Sequence, residues 1–174
     1  MAVEGFSIVQ LAGTHARDDF DCGVERLNQY LQAYARQDVA RGAASVYVAT
    51  LIDAPTEIAG YYTLAATAIR LSALPPNAIK KLPRYPMVPS TLLGRLAVTR
   101  RYHGRGLGEW LLLDALRRSL DASTTVGSSM VIVDAKNDAA ALFYERYGFI
   151  RLPQDRSRLV ITMKTIDLAR RAVK

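Results

Sequence analysis

The sequence predicts a mixed α/β domain. Segments rich in β-formers alternate with segments of helical periodicity, in the order β-α-β-β-β-α-β-α-β. No linker-like stretch divides the 174 residues, so 1–174 reads as a single domain with a core from about residue 5 to about residue 165. Half the residues are hydrophobic (50%) and 22% are charged, which suits one globular unit with a buried core.

Each element has its own signal. "GFSIVQLA" is strand-like. "DCGVERLNQYLQAYARQDVARG" reads as a helix: Val24, Leu27, Leu31, Tyr34 and Ala35 recur at helical spacing, Asp21 can cap it and Gly42 can end it. "ASVYVATLI" and "EIAGYYTLAATAIRL" are β-rich runs joined by the turn-like "DAPT", a hairpin pattern. In "SALPPNAIKKLPRYPMVPS" five prolines forbid regular structure and stiffen a long loop. "TLLGRLAV" is a buried strand, and "LGEWLLLDALRRSLD" a helix whose wet face is Asp114, Arg117, Arg118 and Asp121. "SSMVIVDA" is the next strand. "DAAALFYERYGF" is a short helix ended by Gly148, "RLVITMKT" the last strand, and the polar residues after Thr165 are peripheral.

The composition narrows the function. A net charge of +7 suits a polyanionic partner, although solubility alone accounts for it equally well. One cysteine, Cys22, excludes an intramolecular disulfide, and it reads as a small buried residue beside a helix start. With only His15 and His103 to help, no metal site is expected. No apolar run is long enough for a membrane span, and "MAVEGFSIVQ" lacks the features of a signal peptide, so a soluble cytoplasmic protein is expected.

"HGRGLG", His103 to Gly108, opens a helix directly after a buried strand. Free N–H groups and the helix dipole there favour an anion, and glycines let the backbone approach it. Arg105 adds a cation. The spacing is not that of a P-loop. It also departs from the dinucleotide fingerprint, because Glu109 stands where the last glycine belongs. A pyrophosphate fits; so does a glycine-rich turn that only tightens a strand–helix junction.

The stretch "RLAVTRRYHGRGLGEWLLLDAL" resembles motif A of the GNAT acetyltransferases, Gln/Arg-x-x-Gly-x-Gly/Ala, with His103 in the first position instead of Gln or Arg. "ALFYERYGF" looks like the motif B helix of the same family. The resemblance implies the GNAT (acyl-CoA N-acyltransferase) fold, a mixed central sheet flanked by helices, with acetyl-CoA as co-substrate and no metal. It implies that His103, Gly104, Arg105, Gly106, Leu107 and Gly108 hold the pyrophosphate. Leu96, Ala97 and Val98 would pair with the pantetheine arm, and Asn137 joins the cofactor set.

The chemistry of acetyl transfer needs a neutral amine, donors for the developing oxyanion, and a proton for the departing thiolate. Tyr144 suits the last role by the resemblance. On the helix, Phe143 shares a face with Ala139 and Tyr147 and is expected to point coreward, whereas Tyr144 lies beside small residues that leave room for a ligand. The alternative is a packing tyrosine with a backbone partner. None of Glu57, Glu109 and Glu145 reads as a general base. That favours an α-amino acceptor, whose pKa near about 7.7–8.0 leaves it partly neutral, over a lysine near about 10.4.

The N-terminal half narrows the resemblance. "FDCGVERLNQYLQAYARQ", "IAGYYTLAATAI" and "LPRYPMVPSTLLGRLAV" look like the GNAT toxins of bacterial type II toxin–antitoxin modules. Those enzymes acetylate the α-amine of charged tRNA, are neutralised by a small ribbon-helix-helix antitoxin, and are commonly homodimers. A tRNA-facing set follows by position and charge: Arg36, Lys80, Lys81, Arg84 and Arg95. Between Lys80 and Arg118 stand nine cations and only Glu109 and Asp114 as acids, a field that attracts a phosphate backbone. Each arginine alone is a solvated surface charge. Tyr61 and Tyr62 alternate on a strand, so one of them is expected to face the acceptor. The rival readings are a GNAT enzyme acting on a protein N-terminus, a lysine or a small amine, and a non-catalytic acyl-CoA-binding domain, which the His103 departure favours.

Overall fold

The computed structural model describes residues 2–173. Seven strands form one mixed sheet: β1 (Phe6–Gln10), β2 (Ser45–Leu51), β3 (Ile58–Arg70), β4 (Met87–Val98), β5 (Met130–Asp134), β6 (Ile150–Arg151) and β7 (Arg158–Thr162). Their order is β1-β2-β3-β4-β5-β7-β6. β1–β2, β2–β3, β5–β7 and β6–β7 are antiparallel, and β4–β5 is parallel. The helices are α1 (Glu25–Gln29), α2 (Ala35–Ala40), α3 (Pro76–Ile79), α4 (Leu107–Ala122), α5 (Asp138–Arg146) and α6 (Met163–Ala172). None is long and apolar enough to cross a membrane.

The expected order of elements holds, with four local differences. The helix expected over residues 21–42 is interrupted by a π-helical turn, Tyr30–Tyr34, between α1 and α2. A π turn misaligns carbonyls that an α-helix would pair. Arg17 meets them, donating from Nη1 to the Leu31 carbonyl at 3.5 Å and the Gln32 carbonyl at 3.1 Å.

The proline-rich segment is not wholly irregular. It holds the short α3, and β4 begins at Met87, ahead of Pro89. A proline removes only a donor, and the Pro89 carbonyl still accepts from Ser129 N–H at 2.8 Å. The two-residue β6 has no counterpart in the sequence reading. The tail after Thr165 is the rest of α6, an amphipathic helix that buries Met163 and Ile166 and is capped by Thr162.

The chain divides into two compact units. One takes in the residues up to Ala65 together with Gly94–Ala115. Its core packs Phe20, Tyr30, Leu31, Val46, Val48, Ile58, Tyr61 and Ala97. The other takes in Ala66–Leu93 and the chain from Leu116 onward. There Ile69, Leu74, Val88, Met130, Ile132, Leu152 and Val160 form a separate cluster.

Candidate active site

In the first unit, β4 delivers the chain to the glycine loop. The ladder with β5 covers Thr91, Leu92 and Leu93. After Val98 the backbone is strapped in place: Thr99 N–H donates to the Ala59 carbonyl at 2.8 Å, and Arg100 N–H to the Asp21 carbonyl at 2.8 Å. The Thr99 hydroxyl also donates to the Asp21 carbonyl, at 3.0 Å. Asp21 is itself fixed by the Gly23 N–H and the Asn28 amide, which hold its carboxyl below the usual carboxylate range.

His103 explains its own departure from the motif. Its Nε2 lies 2.7 Å from the Val98 carbonyl oxygen. A carbonyl only accepts, so Nε2 carries the proton. The imidazole ties the loop back to the end of its own strand.

Gly104 and Gly106 hold φ of +78° and +80°, and a Cβ at either would meet nothing within 4 Å. The loop thus takes a conformation reserved for glycine and presents an open face. α4 starts at once, and its first bond is Trp110 N–H to the Gly106 carbonyl at 3.1 Å. The N–H groups of Leu107, Gly108 and Glu109 precede it, at the positive end of a 16-residue helix. This donor set fits a pyrophosphate.

Two cations flank the loop on a platform that sequence reasoning missed. The guanidinium carbons of Arg101 and Arg105 lie 5.4 and 5.5 Å from the centroid of the Tyr102 ring. Tyr102 is buried and donates its hydroxyl to Glu57 at 2.8 Å, and Arg101 pairs with the same carboxylate at 3.4 Å. Glu57 is thereby occupied as a counter-charge. The only sequence signal was an aromatic set among arginines.

The two tyrosines of "GYY" are both fully buried, on opposite faces of β3. Tyr61 donates to the Leu27 carbonyl at 2.7 Å and Tyr62 to Asp114 at 2.6 Å. Neither presents an open face to an acceptor, contrary to expectation. Arg95 lies flat on Tyr30, with Cζ 3.5 Å from the ring centroid. Arg36 is exposed and rests against the backbone at Gly13.

In the second unit, α5 carries Tyr144. The helix is capped by Asn137, whose side chain accepts from Ala140 N–H at 2.8 Å. That uses the amide oxygen and leaves the amide NH2 to other partners. The buried face is Ala141 and Tyr144, while Ala139 is exposed and Phe143 and Tyr147 are half-buried. This reverses the expected facing, because the ring of Tyr144 packs on Phe149 beyond the helix end, with centroids 5.4 Å apart.

The Tyr144 ring is buried, at 9% exposure, and burial pushes its hydroxyl up to about 12. That hydroxyl has no hydrogen-bond partner among the described residues, whereas the hydroxyls of Tyr30, Tyr61, Tyr62 and Tyr102 each have one. No buried side-chain oxygen of the described residues lacks a partner, so the Tyr144 hydroxyl must reach open space. Glu145 is paired with Arg151 and is no freer than Glu57. Lys80, Lys81 and Arg84 are all exposed in the same unit, beside an exposed Tyr85.

The acetyltransferase (GNAT) domain family matches residues 42–151 of this sequence. The chain belongs to the GNAT acetyltransferases. Within that family it is similar to named toxins. It is 34% identical to the tRNA-acetylating toxin of Mycobacterium tuberculosis, over 83% of this chain and 84% of that one. Its fold is similar to that of AtaT complexed with acetyl-methionyl-tRNAfMet, with a TM-score of 0.87 and 32% identity, covering 94% of this chain and 98% of that one. It is also similar to a tyrosine-to-phenylalanine mutant of AtaT bound to acetyl-CoA and the C-terminus of the antitoxin AtaR. There the TM-score is 0.80 and the identity 28%, covering 95% and 98% of the two chains. The GNAT fold expected from "HGRGLG" and "ALFYERYGF" is therefore established.

Proposed function

We propose that this chain acts as one GNAT domain that acetylates the α-amino group of aminoacyl-tRNA, and that it blocks translation as the toxin of a toxin–antitoxin module. The observation that carries the acceptor is the similarity to a toxin solved with acetyl-methionyl-tRNA over nearly the whole chain. The side chains support the same chemistry. With Glu57 and Glu145 both ion-paired, the site suits an amine that needs little help to be neutral. An α-amine on an aminoacyl ester meets that need better than a lysine.

Acetyl-CoA, when bound, supplies the acetyl group as an activated thioester. The N–H groups of Leu107, Gly108 and Glu109, with Gly104, Gly106 and the Arg105 guanidinium, hold its pyrophosphate. Leu96, Ala97 and Val98 offer backbone groups to its arm. His103 fixes the loop to the strand, and Asn137 has an amide NH2 to offer. Tyr144 keeps its proton at neutral pH; as the amine forms its bond to the acetyl carbon and the carbon–sulfur bond breaks, Oη gives that proton to the departing sulfur, and the proton released by the acylated nitrogen restores it through solvent. Lys80, Lys81, Arg84, Arg36 and Arg95 attract the tRNA backbone. A small ribbon-helix-helix antitoxin, a homodimer and a cytoplasmic site of action complete the reading.

The test is incubation of the protein with radiolabelled acetyl-CoA and a panel of charged tRNAs, peptides and polyamines. Label is expected on at least one charged tRNA, released with the amino acid when the ester is hydrolysed. Strong labelling of a peptide or polyamine with none on any charged tRNA overturns the reading.

A further inference from the structure

Arg95 is a half-buried guanidinium without an anion. Its Cζ lies 3.5 Å from the centroid of the Tyr30 ring. Among the described residues none of its N–H groups meets an acceptor, and no carboxylate pairs with it. Arg17, Arg151 and Arg158 are half-buried as well, yet each is satisfied: Arg17 by the Leu31 and Gln32 carbonyls, Arg151 by Asp138 and Glu145, and Arg158 by Asp134. No buried side-chain nitrogen of the described residues lacks a partner, so the Arg95 donors must open outward.

The ring beneath it is fixed. Tyr30 is buried, donates its hydroxyl to Asp38 at 2.8 Å, and stacks on Tyr61 with centroids 6.3 Å apart. Asp38 is thereby held by the phenol and forms no ion pair with Arg95. The ring covers one face of the guanidinium and leaves its edge, which carries the N–H groups, to a ligand. Parallel N–H groups on a planar edge match two oxygens of a phosphate.

The register of β4 decides whose phosphate it is. Side chains alternate along a strand. Arg95 and Ala97 take the face of Tyr30 and Tyr61, with which Ala97 shares a core cluster. Val98 takes the other face, where a Cβ on Gly108 of α4 would lie 4.0 Å from its Cγ2 and where Tyr62 binds Asp114 of α4. The glycine loop opens α4, so an anion on Arg95 lies across the sheet from the helix that holds the cofactor's pyrophosphate. It belongs to the acceptor. Arg95 also directly precedes Leu96–Val98, the segment given to the thioester arm. In an aminoacyl-tRNA the anion nearest the reacting amine is the phosphate on the 5′ side of the terminal nucleotide. We propose that Arg95 binds this phosphate, with Tyr30 as its positioning residue, and that the contact makes a phosphate a requirement of the acceptor. This rests on the tRNA reading above and names the group by which the site tells an aminoacyl-nucleotide from other amines.

The experiment compares two minimal acceptors, the aminoacyl esters of adenosine and of adenosine 5′-methylphosphate, each bearing an amino acid that the charged-tRNA assay labels. The readout is the ratio of their kcat/KM values with the full chain. Wild type should favour the phosphate-bearing ester by about ten- to a hundredfold, the worth of a hydrogen-bonded charge pair. Arg95→Gln should bring the ratio near one. Damage to the fold slows both esters alike and leaves the ratio high, so the ratio separates recognition from stability. Arg95→Lys keeps the charge but not the planar fork on the ring, and should also lose most of the ratio; it serves where the glutamine variant does not fold. A wild-type ratio near one, or a ratio in either variant as high as in wild type, overturns the phosphate site, while acetylation of charged tRNA leaves the tRNA reading standing. No acetylation of any charged tRNA overturns both.

Discussion

A buried tyrosine ordinarily finds a partner for its hydroxyl, because burying a polar group unpaired costs about 1–3 kcal/mol. Tyr30, Tyr61, Tyr62 and Tyr102 obey that rule with Asp38, the Leu27 carbonyl, Asp114 and Glu57. Tyr144 is different: its ring is packed against Phe143 and Phe149, but its hydroxyl has no partner among the described residues and reaches open space. A hydroxyl kept neutral by burial and left unpaired by the protein is available to a ligand, and as a proton donor it needs no rearrangement. Tyr144→Phe removes one oxygen and no ring contact. It should therefore lower kcat by on the order of a hundredfold or more, the range of general acid catalysis. The affinity for acetyl-CoA, measured by calorimetry, should stay within about twofold, since no ground-state contact is lost. A Phe variant with wild-type turnover would exclude the acid role.

At the scale of elements, the glycine loop depends on how closely β3, β4 and α4 approach one another. Gly60 of β3 marks the tightest point. A Cβ there would lie 2.8 Å from Leu111 Cδ1 of α4 and 2.9 Å from the Ala97 carbonyl oxygen of β4. The leucine can turn aside, but the carbonyl belongs to a paired strand and cannot. Gly60→Ala should destabilise the protein by about 1–3 kcal/mol, as overpacking does, and should raise the KM for acetyl-CoA as β4 shifts. Urea denaturation and steady-state kinetics read the two effects, and an unchanged denaturation midpoint would show that the strands yield without cost.

The strands other than β6, α4 and "HGRGLG" were legible in the sequence because their signals are local: alternation, helical spacing, and glycines at a strand–helix junction. Other features involve distant partners. Carbonyls of the π turn at Tyr30–Tyr34 are met by Arg17, and in β4, which starts inside a proline-rich segment, Pro89 still offers its carbonyl to Ser129. α6 has the look of a polar tail in the sequence because only two of its residues, Met163 and Ile166, are buried. Tyr144 was legible as a residue but not in its facing, which the contact with Phe149 decides.

Over the whole molecule, buried phenols make both units sensitive to alkali. In the first unit, burial and the hydrogen bond to Asp38 push Tyr30 up to about 12, and burial also raises Tyr61. In the second unit, burial pushes Tyr144 up to about 12. Unfolded tyrosines lose their protons near about 10. Between these values the folded chain binds more protons than the unfolded one, so stability falls as pH rises. The contribution of these tyrosines is fully present below about pH 10 and is lost as pH climbs through about 12. Urea midpoints followed by circular dichroism should hold steady up to about pH 9.5 and then decline steadily toward about pH 11.5. Tyr144→Phe removes one of the titrating groups and should make the decline shallower without abolishing it, because Tyr30 and Tyr61 remain. A midpoint that stays level over this range, or a Phe variant with the same slope as wild type, would show that these phenols titrate alike in the folded and unfolded chains.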